Sequence, residues 1–180
     1  MRVVAGAARG RPLRAPAGRS TRPTSDRVRE AVFSMLASMD AVEGAAVVDL
    51  FAGSGALGIE ALSRGARSAV FVDDDRDAVA AVEANLQVLG PAAARAVVRR
   101  ADAVTYARDA EPVDVAFADP PYAWDDWPAL LSALSGRAGL LVAESDRERE
   151  AGPGWETVKI KRYGSTVVTV MQPAHPRSDQ

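Results

Sequence analysis

Two short stretches of this 180-residue sequence place chemically capable groups at close spacing. The first is Asp119-Pro120-Pro121-Tyr122, at the end of the apolar run 113–118. The two prolines lack N–H groups and fix φ, so the segment neither continues a ladder nor enters a helix interior. What remains is a stiff turn with bare carbonyl oxygens, a carboxylate beside them and an aromatic ring just after. Such a turn suits a planar polar group, offering acceptors for its N–H bonds and a face to stack on. A Pro-rich loop leaving a strand has the same letters, so the rest of the chain must decide. The second stretch is Gly53-Ser54-Gly55-Ala56-Leu57-Gly58, which matches G-x-G-x-x-G. Around it are three more carboxylates, Asp49, Asp73 and Asp102.

The glycine pattern alone permits dinucleotide binding, with Asp73 on the ribose hydroxyls. Asp49 argues against that, because a carboxylate inside the preceding strand would repel a pyrophosphate. No second basic or Gly-rich phosphate grip lies near the sheet. An acid beside the Gly turn suits a cationic cofactor instead, namely the ammonium and sulfonium of S-adenosylmethionine. Gly53 and Gly55 let the backbone approach such a ligand. Asp73 then accepts from the ribose hydroxyls and Asp102 from the adenine amine, with Asp49 and Phe51 at the end of the first strand completing the cofactor set. Beside a methyl donor, Asp119 and the Pro120 carbonyl can each accept one N–H of an exocyclic amine. That holds the nitrogen pyramidal, its lone pair aimed at the methyl, and the charged acceptor stabilises the positive charge that grows there. With Pro121 stiffening the turn and Tyr122 stacking on the base, the four residues form the expected catalytic set.

The elements that must carry these groups follow from periodicity. After Gly44, apolar runs and helical stripes alternate: strands at 46–51, 68–72, 95–100, 113–118 and 139–144, and helices at 56–64, 78–89, 104–109 and 127–134. Residues 155–162 and 165–171 flank Tyr163-Gly164 as a hairpin. Upstream, a helix with Thr24 or Ser25 as its cap runs to about Met39, burying Val28, Val32, Phe33, Leu36 and Met39. The expected class is α/β: a Rossmann-like, doubly wound, mostly parallel seven-stranded sheet with an antiparallel C-terminal hairpin and a small basic N-terminal extension. In such sheets ligands lie beyond the carboxyl ends of the strands, where the named acids fall. The expected division is a basic arm and helix over 1–40, a catalytic domain over 41–173 and a frayed tail over 174–180. Residues 2–4 and 12–14 are candidates for a small hairpin within the arm.

Charge separates along the chain. Residues 1–29 hold eight arginines against one acid, a net of +7, while the remainder carries 14 basic and 23 acidic residues, a net of −9. A basic arm on an acidic body points to a polyanionic partner, and arginine favours bidentate phosphate contact. Arg2, Arg9, Arg11, Arg22, Arg27 and Arg29 are the candidate RNA-binding residues. The chain has no cysteine and one histidine, His175, in the tail. This disfavours thiolate chemistry, a histidine mechanism and a metal site, and it fits a reducing, cytoplasmic setting. The start reads as no signal peptide, and no apolar run is long enough to span a membrane. Asn85 reads as a polar helix-face residue and Tyr163 as packing; Trp124 and Trp127 read as either lid or core.

Taken together, Arg22–Glu30 (RPTSDRVRE), Val48–Ala66 (VDLFAGSGALGIEALSRGA), Phe71–Asp73, Ala118–Tyr122 (ADPPY) and Lys161–Gly164 (KRYG) make the sequence resemble the bacterial 16S rRNA guanine-N2 methyltransferase family known as RsmD. The resemblance implies methyl transfer from S-adenosylmethionine to guanine 966 of 16S rRNA, with that RNA or the assembling small ribosomal subunit as partner; a monomer is the expected state. It implies cofactor contacts from Gly53, Gly55, Asp73 and Asp102, and a guanine held by Asp119–Tyr122. The chain departs from the family in having Asp73 where Glu is usual and Ser25 where Thr is common. Two other classes compete: methylation of another planar amine, adenine N6 in DNA or a protein glutamine, and a non-catalytic RNA binder in ribosome assembly.

Overall fold

In the computed structural model, residues 1–17 and 26–175 are described. The seven strands are β1 (Ala46–Asp49), β2 (Ser68–Asp73), β3 (Ala96–Arg100), β4 (Val113–Ala118), β5 (Ala138–Ser145), β6 (Trp155–Tyr163) and β7 (Thr166–Pro173). They form one sheet in the order β3-β2-β1-β4-β5-β7-β6. The first five are parallel, and β7 runs antiparallel between β5 and β6. This is the expected Rossmann-like architecture, with its topological switch between β1 and β4.

The central strands are buried on both faces, and their side chains alternate between two layers. Val115 and Phe117 of β4 join one apolar cluster with α1 (Asp26–Ala37), α2 (Ala56–Ser63) and α3 (Arg76–Leu86). Ala116 and Ala118 join the other, with α4 (Ala103–Asp109) and α5 (Trp127–Leu134). Where α2 meets the sheet only glycine fits: a Cβ on Gly58 would lie 2.3 Å from the Phe71 ring. The third glycine of the pattern thus serves close helix–strand packing.

Several boundaries differ from the sequence reading for local reasons. β1 ends at Asp49, and beyond it the chain keeps one bond to each neighbouring strand, Leu50 N–H to Phe117 C=O at 2.9 Å and Ala52 N–H to Val72 C=O at 3.0 Å. The helix expected to reach Leu89 ends at Leu86 and continues as a 3-10 segment, Gln87–Arg95, broken at Gly90 (φ 56°) before Pro91. Asp75 caps α3, accepting from Asp77 N–H at 2.7 Å. The first helix ends at Ala37, leaving Met39 beyond it. Thr24 and Ser25, its expected caps, and Arg22 lie outside the described residues, as does the tail from 176.

The N-terminal arm is bonded closely to the body. Arg2 and Pro12 form an antiparallel bridge, flanked by Val3 N–H to Arg11 C=O and Leu13 N–H to Met1 C=O, both at 3.0 Å. The Glu60 carboxylate, fully buried on α2, accepts from Val4 N–H at 2.7 Å and Ala5 N–H at 2.9 Å. The same carboxylate pairs with Arg64 at 2.7 Å and Arg29 at 3.5 Å. Ser63 accepts from Ala8 N–H and donates to Ala5 C=O. Asn85 does not line the site; it clamps both backbone groups of Arg14 and the carbonyl of Ser54.

Arg29 corrects the sequence reading. It is 0% exposed. Its guanidinium pairs with Asp26 at 2.8 Å and Glu60 at 3.5 Å and donates to the Arg2 carbonyl. A polyanion has no access to it, so its role is to join α1, α2 and the arm. Removing one partner of a buried pair strands the other charge, which costs about 3–5 kcal/mol. Glu60→Gln is therefore expected to lower the melting temperature by roughly 10 °C. Hydrogen exchange should show the Val4 and Ala5 amides losing protection first.

Candidate functional site

The site is built from four neighbouring strand ends. Asp49 pairs in register with Phe71 on β2 and Phe117 on β4, and Ala118 pairs with Ala143 on β5. Alternation then puts Asp49, Asp73 (two beyond Phe71), Asp119 (two beyond Phe117) and Glu144 (one beyond Ala143) on the same face. All four line one cavity of about 430 Å³, together with Phe51, Gly53, Ser54, Asp102 and Pro120–Tyr122. The sequence reading had placed three of these four acids; Glu144, read only as the end of a strand, is the addition.

Each acid is held differently. Asp49 is 1% exposed and accepts from Gly58 N–H at 3.0 Å, in the first turn of α2. Burial, reinforced by Asp119 and Asp73, pushes its carboxyl up to about 8 despite that bond. Asp73 accepts from Gly53 N–H at 2.9 Å and Asp75 N–H at 3.0 Å, so it both orients the Gly turn and keeps lone pairs for a ligand. Asp102 caps α4, accepting from Thr105 N–H at 2.8 Å. The backbone and side chain of Thr105 hold its carboxyl below the usual range, so it remains an ionised acceptor at the rim. Gly53 and Gly55 take φ of 54° and 77°, the left-handed conformation that lets this turn fold under the cavity.

The opposite wall is aromatic. Phe51 meets Trp124 edge-on at 5.0 Å, and Trp124 meets Trp127 at 5.3 Å. Trp127 is buried, with Arg149 stacked over it at 5.0 Å, and so belongs to the core; Trp124 lines the cavity. Tyr122 is 40% exposed at the mouth, its hydroxyl 3.3 Å from Thr166 Oγ1 on β7. Tyr163, half-buried, packs against the larger apolar cluster. The arm also contributes a wall unforeseen in the sequence, through Met1, Ala15 and Pro16. Arg9, Arg11 and Arg27 are exposed; Arg2 is exposed too, though its guanidinium donates to the Gly10 carbonyl at 3.0 Å.

Among the described residues no group of His, Cys, Asp or Glu is disposed to hold a metal ion, and no helix is long and apolar enough to cross a membrane. The cavity fits S-adenosylmethionine on its own chemistry. Asp49, its carboxyl pushed up to about 8 by burial, faces a space floored by left-handed glycines, and Asp73 and Asp102 bring two further carboxyl groups to the same cavity.

Comparison with known proteins agrees. The model of the family described as conserved hypothetical protein 95 matches residues 1–172. YlbH of Bacillus subtilis (strain 168) is 43% identical over 94% of this chain and 97% of its own. Ribosomal RNA small subunit methyltransferase D of Haemophilus influenzae is 31% identical over 91% of this chain and 89% of its own. The solved structure of yhhF from Escherichia coli superposes with a TM-score of 0.83 at 32% identity, covering 96% of this chain and 97% of that one. On this fold, this site and these matches, the chain belongs to the RsmD family of methyltransferases, and its cofactor is S-adenosylmethionine.

Proposed function

We propose that this protein methylates the exocyclic N2 amine of a guanine in 16S rRNA, guanine 966 by the family resemblance, on naked RNA or the assembling small subunit. The observation that carries the reading is that Asp119-Pro120-Pro121-Tyr122 and the acid-lined Gly turn share one cavity at the β1/β4 switch point. When bound, S-adenosylmethionine supplies an electrophilic methyl carbon. Gly53, Gly55, Asp49, Asp73 and Asp102 hold it, with Phe51 on the aromatic side. Asp119 and the Pro120 carbonyl each accept one N–H of the amine, fixing its lone pair and stabilising the charge that develops on nitrogen. Tyr122 stacks on the base, which must leave its helix or come from a loop. The product ammonium loses its proton to solvent. Arg2, Arg9, Arg11 and Arg27 face the RNA backbone from the arm and α1; the Haemophilus relative's name supports an rRNA substrate.

Radiolabelled methyl transfer to small-subunit particles, free rRNA, DNA and protein tests the reading. Label on rRNA guanine N2 is expected; label only in DNA or protein would overturn it. Asp119→Ala should lower turnover by about 10²–10³-fold, the loss of a preorganised electrostatic contact, while cofactor affinity stays within about threefold. Charge reversal at Arg9, Arg11 and Arg27 together should weaken RNA binding and reduce the slope of log K against log salt by about 2, near 0.7 per single-strand phosphate contact.

Asp49 gives a pH-dependent prediction. Its folded value, about 8, lies above its ordinary 3.8, so between these the folded state keeps a proton that the unfolded state has lost. Stability of the ligand-free protein therefore falls as pH rises through this window. Asp49→Asn should flatten that fall, as read by denaturant melts from pH 5 to 8. A cationic ligand draws the proton off Asp49. Cofactor binding should release a proton below pH 8, seen as buffer-dependent binding heat, and Asp49→Asn should abolish that release and weaken binding at least tenfold.

A further inference from the structure

Asp119 and Pro120 accept two N–H bonds of an amine, and adenine offers an exocyclic amine as readily as guanine does. The bases differ at the adjoining ring nitrogen: guanine carries a donor, N1–H, beside its amine, whereas adenine carries a bare acceptor, N1. We propose that Glu144 is the specificity-determining residue, accepting guanine N1–H while Asp119 and Pro120 hold the N2 amine. This rests on the guanine-N2 reading above and adds to it the means of choosing the base.

Three observations support the assignment. Glu144 lines the same cavity as Asp119–Tyr122 and is only 6% exposed, so its carboxylate meets a ligand in a site sheltered from water. Ala118 and Ala143 are register partners on adjacent parallel strands, about 4.8 Å apart at that pair, and Asp119 and Glu144 each follow directly after them. Tyr122 reaches from the end of β4 to Thr166 on β7, and β5 lies between those strands. The ring therefore crosses the end of β5, and a base stacked on it presents its edge to the β5 side chain.

Two neighbouring carboxylates match two neighbouring donors on guanine. Adenine would set its N1 lone pair against a Glu144 oxygen, acceptor facing acceptor, the kind of mismatch that rejects an analogue strongly. A carboxylate accepts up to about four hydrogen bonds, so contacts within the protein and the N1–H bond coexist on it. An acceptor on N1–H also pushes electron density toward the adjoining amine, which favours methylation of guanine for a second reason.

The test uses small-subunit particles reassembled with RNA whose methylated guanine, mapped with the wild-type protein, is replaced by 2-aminopurine. This base keeps the 2-amine but has an acceptor at N1. The wild type should prefer guanine by at least 100-fold in kcat/KM. Glu144→Gln, whose amide can donate to a bare N1, should lose at least 30-fold on guanine and shrink the preference by at least tenfold. Its cofactor Kd, measured by calorimetry, should stay within threefold of wild type. A Glu144→Gln variant that slows both bases by one common factor would overturn the proposal, as would a wild type that accepts 2-aminopurine equally. A wild type that labels no guanine N2 would overturn the underlying reading itself, a result distinct from either.

Discussion

The constraint on which the site depends is the crowding of four carboxyl groups, Asp73, Asp49, Asp119 and Glu144, along one edge of one sheet face. Like charges at neighbouring strand ends repel, and burial makes the repulsion harder to screen. Backbone N–H groups relieve part of it: Gly58 for Asp49, and Gly53 with Asp75 for Asp73. Burial also pushes the Asp49 carboxyl up to about 8, which lowers its share of the charge near neutral pH. The cavity thus concentrates acidic groups and acceptors along one strand edge, which suits a sulfonium-bearing cofactor.

Rigidity around that edge comes from a further buried acid with the opposite solution. Glu60 sits among apolar residues on α2, but two arginines and two backbone amides saturate it. It holds the arm against the body so that Met1, Ala15 and Pro16 form a wall of the cavity. Arg64 also lies over the Phe33 ring at 4.9 Å, adding α1 to the same joint. The arm and the catalytic body share one apolar cluster, which contains Val3, Leu13, Phe33, Phe71 and Phe117 together.

Much of this was legible in the sequence because the signals were local. Apolar runs gave the parallel strands, Tyr163-Gly164 gave the hairpin, and strand ends gave Asp49, Asp73, Asp102 and Asp119. The arginine count of the arm misled at one position, since composition does not distinguish a solvated arginine from a buried one. The helical spacing of Arg29 with Val32, Phe33 and Leu36 carried the correction, and so did Glu60, a lone acid inside ALGIEALS. Opposite charges each embedded in an apolar stripe are a signal for a pair. Glu144 was not legible as a site residue, because its role depends on which strand lies beside β4. That is settled by long-range pairing, as is the fate of the two tryptophans: Trp127 turned inward under Arg149, while Trp124 stayed at the cavity wall.

The insertion of β7 between β5 and β6 has a consequence for how the molecule is made. A ribosome releases the chain from its N-terminus, and β1 to β5 can pair as they emerge. Yet β5 keeps a raw edge until residues 166–173 arrive, because β6, though synthesised earlier, pairs with β7 alone. Thr166, the partner of Tyr122, comes with that last strand. The mouth of the cavity is thus completed only once Thr166 has emerged, well after the β1 to β5 residues that form its floor.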